Sequence, residues 1–354
     1  MEDQNFSYQK IRTVLENSPA ISLAPDDRYV VFSDLHMGNG SWTDDFVTNS
    51  EMFMTVLDHY YLLRGHSLIL NGDVEELQRF TLTEVHHRWG QVYAVLERFA
   101  AERKFHRIVG NHDHELLDDG VSETGVMPLE GLRLLHNNNT LFVFHGHQAL
   151  WRYDRFNRWI GYLLKYGLNP LKIRNRTVAH NSRKRFLTEK RVYEFSSNQS
   201  VLSIIGHTHR PLFESMSKID TLRFEIERLC RAYPAAAAPK QRKIEEQIKE
   251  YQRELEHVHR HDAAEAAQRS LYNADLVVPC VFNSGCVLGK RGMTALEIQN
   301  GTLALVHWFD SRREQKYLDH RSHHPHQLGD SPFYRVVIKQ DSLDYIFSRI
   351  RLLT

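Results

Sequence analysis

The sequence predicts an α/β fold, because short β-rich runs alternate with helical stretches along much of the chain. Runs such as YVVF, SLIL and FHRIV are each followed within a few residues by a polar cluster. Residues 44 to 64 and 84 to 104 carry apolar side chains at a spacing of three to four, which is typical of amphipathic helices. In such folds, functional side chains gather at the carboxyl ends of strands.

Further β-rich runs follow later in the chain. TLFVF precedes HGH, and VLSII precedes GHTHRP. The stretches VVPCVFNSG, GMTALEIQNG and TLALVHWF are predicted to be later strands. The last two are expected to form a hairpin around Asn300-Gly301, since Asn-Gly is a strong hairpin-turn signal.

Length and composition indicate a globular protein. A chain of 354 residues can form one large domain with insertions, or two ordinary domains. The hydrophobic fraction of 42% and the charged fraction of 25% are those of soluble globular proteins. The net charge of +1 disfavours a chain-wide footprint for nucleic acid or a membrane. No window approaches 18 uncharged apolar residues, so no membrane span is expected.

The cysteines and the first residues favour a cytoplasmic protein. Cys230, Cys280 and Cys286 have no CxxC spacing and do not form an even set, which favours a reducing compartment. The opening stretch MEDQNFSYQKIRTVLENSPA lacks an apolar core, so we expect no secretory signal.

Five polar clusters carry the candidate chemistry. In an extended chain, residues i and i+2 point to the same side, so the side chains of DxH (34–36) and HTH (207–209) can each converge on one point. The clusters GD, GN and HGH add a carboxylate, an amide oxygen and an imidazole. The candidate ligands are Asp34, His36, Asp73, Asn111, His145, His207 and His209.

This set predicts a centre with two metal ions. Two Asp, one Asn and four His are too many donors for one tetrahedral ion and suit two ions that share a carboxylate. Nitrogen and oxygen donors without a thiolate favour a catalytic pair over a structural zinc. We expect two divalent ions, manganese first, with iron or zinc as alternatives. Any one of these clusters alone would more often be a strand end or a turn than part of a metal site. Five of them in this order indicate a metal site.

In its order DxH, GD, GNHD, H and GHTH, the set resembles the calcineurin-like metallophosphoesterase superfamily over roughly residues 28 to 310. The resemblance implies a two-sheet β-sandwich flanked by helices, forming a single domain over residues 1–354 with two helical insertions. It also implies two ligand sets that share Asp73 as a bridge. One is Asp34, His36, Asp73 and His209, and the other is Asp73, Asn111, His145 and His207.

Hydrolysis of a phosphoester or pyrophosphate would then proceed by attack of a hydroxide held between the two cations. The departing alkoxide needs a proton that the cations cannot supply, so we expect His112 to be the general acid. The family's GDxxD is GDVEE here, which places Glu76 where an acidic residue orients the histidine of GNHD. His147 is expected to contact substrate.

The first insertion, residues 151–195, is basic and aromatic. Within residues 151–191, 12 Lys or Arg stand against two acidic residues, a net charge of +10. Arg152 and Arg155 flank an apolar helical face and are expected to contact substrate. The segment is interpreted as a lid for an anionic, partly apolar substrate or as a peripheral membrane contact; a packed helix with a solvated basic flank is the alternative.

Within the superfamily, the sequence resembles the UDP-2,3-diacylglucosamine hydrolase branch. The shared features are SDLHMG, the acidic GDxxE, a basic insertion after the HG motif, and GHTHRP. That branch typically has Arg where His112 stands, and it lacks an insertion like residues 214–270. The resemblance implies a small or lipid-linked phosphate substrate, such as UDP-2,3-diacylglucosamine.

The second insertion, residues 214–270, is predicted to be an antiparallel helical hairpin around PAAAAP, because apolar residues repeat at three and four on both sides. It is expected to be a projecting structural arm, with dimerisation or partner docking as the alternative. A nuclease or nucleotide phosphodiesterase is the second functional hypothesis, although nucleic acid is not the expected partner. A non-enzymatic scaffold is disfavoured because the ligand set is complete.

Overall fold

The computed structural model describes residues 2–119, 124–150, 182–214, 238–269, 278–313 and 324–354, together with isolated residues between 222 and 236. The chain divides into two compact units. The first comprises Met1–Glu214 and Val278–Thr354, and the second comprises Ser215–Val277.

The strands and helices of the described residues follow the predicted alternation over the first part of the chain. The strands are β1 (Ala20–Ser22), β2 (Arg28–Phe32), β3 (Ser67–Asn71), β4 (Phe105–Ile108), β5 (Gly131–His136), β6 (Asn139–Phe144), β7 (Leu202–Ile205), β8 (Val281–Asn283), β9 (Met293–Gln299), β10 (Thr302–Asp310), β11 (His326–Gln327) and β12 (Phe333–Ser342). The α-helices are α1 (Glu2–Asn17), α2 (Ser50–Val56), α3 (Leu82–Ala101), α4 (Leu116–Asp119), α5 (Ser182–Gln199), α6 (Ala238–Arg269) and α7 (Leu343–Leu353).

These strands form two mixed sheets. The seven-stranded sheet has the order β11-β12-β10-β9-β2-β3-β4, and the five-stranded sheet has the order β1-β5-β6-β7-β8. Within them, β2, β3 and β4 run parallel to one another, as do β6, β7 and β8. Because parallel strands end at the same edge of a sheet, the DxH, GD and GNHD loops after β2, β3 and β4 meet at one edge, as do the HGH and GHTH loops after β6 and β7.

The two sheets pack face to face, and helices cover their outer faces. Along β2, Tyr29 and Val31 belong to the core shared with the five-stranded sheet, whereas Val30 and Phe32 belong to the core under α2 and α3. This separation follows from the two-residue period of a strand. On the outer face of the five-stranded sheet, Val192 and Phe195 of α5 are fully buried. The expected two-sheet β-sandwich flanked by helices is confirmed.

Two local predictions have different outcomes. The hairpin around Asn300-Gly301 is confirmed, since β9 and β10 pair antiparallel and both turn residues have positive φ. The predicted helix over 44–64 is instead a 3₁₀-helix (Asp45–Thr48), α2 and a π-helix (Leu57–Leu62) in succession. The apolar spacing therefore predicted which face is buried but did not predict the hydrogen-bond pattern. The reason is that 3₁₀-, α- and π-helices can each bury one face.

Among the described residues of the second unit, the longest element is α6, preceded by a 3₁₀-helix over Tyr233–Ala235. Gln241 of α6 donates to the carbonyl oxygen of Tyr233 at 3.3 Å. Most of the first predicted helix of the hairpin lies outside the described residues. None of the described helices combines the length and apolar character needed to cross a bilayer.

Candidate metal centre

The candidate ligands lie directly beyond strand ends, where the backbone adopts an unusual conformation. Asp34 and His36 follow β2, Asp73 follows β3, and His207 and His209 follow β7. All five residues have φ between 47° and 63°, in the left-handed region that residues with a Cβ rarely adopt. Such conformations cost about 1–3 kcal/mol each and persist only where surrounding contacts enforce them.

Glycines precede three of the clusters because other chain segments approach them closely. A Cβ on Gly110 would lie 2.1 Å from Asp73 Oδ1, and one on Gly72 would lie 2.3 Å from His145 Nδ1. A Cβ on Gly206 would lie 2.6 Å from Asp34 Oδ2. Each glycine thus lets one strand end contact the ligand side chain of another.

One group of side chains consists of Asp34, His36 and His209, whose ligand atoms all lie within 4.8 Å of one another. His209 Nε2 is 3.1 Å from Asp34 Oδ1, and it is 3.2 Å from His36 Nε2. Asp34 is fully buried, so its carboxylate has little solvent to compensate its charge.

A second group consists of Asp73, His145 and His207, which meet the same 4.8 Å criterion. His145 Nδ1 donates to the carbonyl oxygen of Asn71 at 2.8 Å. Because a carbonyl oxygen only accepts, neutral His145 carries its hydrogen on Nδ1 and presents the Nε2 lone pair. That Nε2 is 3.1 Å from Asp73 Oδ2.

Asp73 lies between the two groups. Its Oδ2 is 3.7 Å from His36 Nε2 in the first group, as well as being close to His145 in the second. Its Oδ1 accepts the backbone N–H of His112 at 2.8 Å, which brings the GNHD loop against the carboxylate. Asn111, buried in that loop, therefore lies beside Asp73.

A third group joins His36, Glu76 and His112. Glu76 Oε2 is 2.9 Å from His36 Nδ1, and its Oε1 is 2.8 Å from His112 Nδ1. The sequence led us to expect the contact with His112, and the contact with His36 is additional. One carboxylate thus braces both a candidate ligand and the candidate acid.

The electrostatics of the centre are dominated by buried carboxylates facing imidazoles. Burial opposes ionisation of Asp34, but His209 and His145 outweigh burial and lower the pKa of Asp34. Burial likewise opposes protonation of His145, but Asp73 and Asp34 raise the pKa of His145 to about 9. His112 behaves similarly, since Glu76 and Asp73 outweigh burial and raise its pKa to about 9. The centre therefore strongly favours positive charge beside its carboxylates.

The geometry fits divalent cations. Two nitrogens that each bind one ion at about 2.1 Å lie about 3.0–3.4 Å apart in octahedral or tetrahedral coordination. The separation of 3.2 Å between His36 Nε2 and His209 Nε2 falls in that range. With Nδ1 of His36 and of His145 paired to an acceptor, both rings turn Nε2 toward the carboxylates, and Nε2 is the atom that such imidazoles present to a metal.

Sequence reasoning missed a buried ion cluster behind the GNHD loop. Arg107 of β4, which is 3% exposed, contacts the carboxylates of Glu75 and Asp113. Asp113 also accepts the backbone N–H of Val74 at 2.8 Å and that of Gly110. The signal in the sequence was an arginine at an inward-facing strand position, where a charge needs partners.

The predicted substrate contacts are only partly described. His147 is 2% exposed, and its ring centroid lies 5.6 Å from that of His145 and 6.4 Å from that of His207. Burial, together with the neighbouring His145, lowers the pKa of His147 well below its usual value. Arg152 and Arg155 lie outside the described residues, as does most of the basic segment.

Comparisons with known proteins give little beyond the geometry. No protein-family model and no curated protein matches the sequence. Two chains among solved structures match. One of them, described as a dimetal phosphatase from Danio rerio, is 10% identical, with 80% of this chain and 96% of that chain covered at a TM-score of 0.31.

Proposed function

We propose that this protein is a dimetal phosphoesterase that hydrolyses a phosphoester or pyrophosphate bond. The observation that carries the proposal is the convergence of the DxH, GD, GNHD, HGH and GHTH side chains from two sheets into one buried centre. The motif order, which resembles that of the calcineurin-like metallophosphoesterases, supports the same assignment.

Two ligand sets are proposed. Asp34, His36, Asp73 and His209 would hold one divalent cation, and Asp73, Asn111, His145 and His207 would hold the other. When bound, two such ions would activate a water molecule as the nucleophile and neutralise charge on the phosphoryl oxygens. Manganese is proposed first, because the donors are oxygen and nitrogen without sulfur.

His112 is proposed as the general acid. Its Nδ1 pairs with Glu76, while its Nε2 faces the centre at 3.9 Å from Asp73 Oδ2. Protonated His112 can therefore release a proton from Nε2 to a leaving oxygen while Glu76 holds the ring in place.

The substrate is proposed to be an anionic phosphate compound with an apolar portion, such as a lipid-linked nucleotide diphosphate sugar. The support is the basic, aromatic composition of residues 151–191. The wild-type protein, loaded with Mn²⁺, should bind two ions per chain and turn over at least one member of a panel of aryl monoesters, aryl diesters, UDP-diacylglucosamine and DNA. If the protein bound two ions but turned over none of these substrates, the enzymatic assignment would be refuted. Cleavage of DNA alone, with a steep dependence on salt, would favour a nuclease.

His112→Ala tests the proton donor. The variant should keep both metal ions, because His112 is not a proposed ligand. Its turnover of alkyl esters should fall about 100-fold or more, with a much smaller loss for 4-nitrophenyl esters, whose leaving group departs without a proton. Metal content by mass spectrometry and kcat for both ester types check this. Loss of metal would place His112 among the ligands instead.

A further inference from the structure

The GHTHR loop presents alternate side chains to two different environments. His207 and His209 turn into the metal centre, where they approach Asp73 and Asp34. Thr208 and Arg210 point the other way and meet Glu189 of α5. Thr208 and Glu189 are both buried, at 0% and 2% exposure.

Glu189 binds this loop at two points. Its Oε1 accepts the Thr208 hydroxyl at 3.0 Å, and both of its oxygens pair with the guanidinium of Arg210. From the opposite side, Asn283 at the end of β8 donates to Thr208 Oγ1 and to the carbonyl oxygen of Gly206, both at 2.9 Å. The loop is thus held between a helix and a strand.

The helix that carries Glu189 is itself firmly placed. Val192 and Phe195 of α5 are fully buried in the core, and Ser196 Oγ lies 2.7 Å from Ser203 Oγ of β7. Arg191 donates to the carbonyl oxygen of Ala149 at 2.8 Å, next to the HGH motif. Glu189 therefore projects from a fixed support.

Such support is needed because His207 and His209 both have left-handed backbone conformations, with φ of 63° and 54°. A loop with two such residues would relax toward negative φ unless other contacts prevented it. Hydrogen bonds to the intervening Thr208 constrain the peptide units on both sides of it, and so constrain both histidines.

We propose that Glu189 is a positioning residue, which acts through Thr208 and Arg210 to hold His207 and His209 in the geometry that binds metal. The inference rests on the proposed function for its consequence, but the ordering of the loop is a separate property. Outer partners of ligand residues typically change metal affinity 10–100-fold when they are removed.

The test compares four variants of the full chain. Glu189→Gln retains the size of the side chain but removes its charge, and Thr208→Val removes the hydroxyl at constant shape. Thr208→Ser keeps the hydroxyl. Glu194→Gln is the matched control, since Glu194 lies on the same helix, 31% exposed and 3.9 Å from Lys190.

Mn²⁺ affinity is measured by calorimetry, and loop order is measured by hydrogen exchange without metal. Glu189→Gln and Thr208→Val should bind Mn²⁺ about 10–100-fold more weakly and exchange faster in residues 206–210 alone. Thr208→Ser and Glu194→Gln should match the wild type.

Two results would overturn the inference: unchanged exchange in 206–210, or faster exchange throughout the protein, which would make Glu189 an ordinary core contact. Failure of the wild type to bind Mn²⁺ would refute the proposed function, and the exchange data would still decide the role of Glu189.

Discussion

His36, His112 and His145 each pair Nδ1 with an acceptor, and this fixes what their Nε2 atoms can do. The acceptor for His145 is a carbonyl oxygen, whereas one carboxylate, that of Glu76, is the acceptor for both His36 and His112. Because a carboxylate accepts at both oxygens, neither ring has to place its hydrogen on Nε2. The same side chain thereby leaves Nε2 of His36, a proposed ligand, able to bind a cation and orients His112, the proposed acid.

Glu76→Gln should damage both functions, because it removes the negative charge that both rings face. The amide can accept from one Nδ1–H, but its NH₂ must donate to the other ring, which then carries its hydrogen on Nε2. We expect Mn²⁺ affinity to fall about 10–100-fold, together with a loss of alkyl-ester turnover. Calorimetry and ester kinetics measure the two effects.

Glu76→Asp is the informative companion to that variant. It keeps the charge but is shorter by one methylene, so it should preserve one contact and lose the other. Wild-type affinity and turnover in Glu76→Gln would show that the tautomers do not depend on Glu76.

Residue identity was the most predictable aspect of the site. The proposed ligands could be chosen from the sequence because each stands directly after an apolar run. Glu189 could not be chosen, since its contact with Thr208 depends on how α5 packs against β7. The second contact of Glu76 was equally hidden, because spacing along the chain does not give the distance between two loops.

Among the elements, α3 links the outer helical layer to the loops of the candidate metal centre. Trp89 of α3 donates to the carbonyl oxygen of Gly38 at 2.9 Å, just beyond the DxH motif. Tyr93 donates to Glu75 at 2.9 Å, in the loop after Asp73. The helix begins in a capping box, in which the Thr81 hydroxyl accepts the backbone N–H of Glu84 and the Glu84 carboxylate accepts the backbone N–H of Thr81.

Thr81→Ala should lower the free energy of unfolding by about 1 kcal/mol, because a first-turn N–H of α3 loses its acceptor. Thr81→Ser should retain the wild-type value. Urea denaturation measures both variants. Equal stability of the alanine and serine variants would mean that the box contributes nothing here.

The existence of α3 and of the hairpin at Asn300-Gly301 followed from apolar periodicity and turn chemistry. The succession of 3₁₀-, α- and π-helix over residues 45–62 did not. Helical pitch is set there by tertiary packing, which buries Phe46, Phe53 and Tyr61 completely.

For the molecule as a whole, acid stability depends partly on a buried histidine just before β3 that is not one of the proposed ligands. His66 is 1% exposed, and burial lowers its pKa from 6.5 to about 4 despite the nearby charge of Glu297. The rings of Tyr60 and Tyr61 lie beside it, and the charges of Arg28 and Arg335 also act on it. His66 is therefore neutral in the folded protein near neutral pH.

The sign of the effect follows from proton binding. Between pH 6.5 and 4, the unfolded chain binds more protons at His66 than the folded protein does, so stability present above pH 6.5 is lost as pH falls. From pH 7.5 to 5, this single group should remove about 2 kcal/mol from the free energy of unfolding.

His66→Phe should remove that part of the pH dependence, as measured by urea denaturation at both pH values. Replacement of the exposed His59 by Gln is the control and should leave the dependence unchanged. An identical pH dependence in His66→Phe and the wild type would refute the assignment.

The left-handed backbone at Asp34, His36, Asp73, His207 and His209 has a consequence for how the protein can evolve or be engineered. Glycine would relieve the conformational cost at each of these positions, but it would remove a proposed ligand. Selection for thermostability alone would therefore favour glycine at these positions and remove the proposed ligands. The most stable sequence for this fold and the most active one should differ at these five positions.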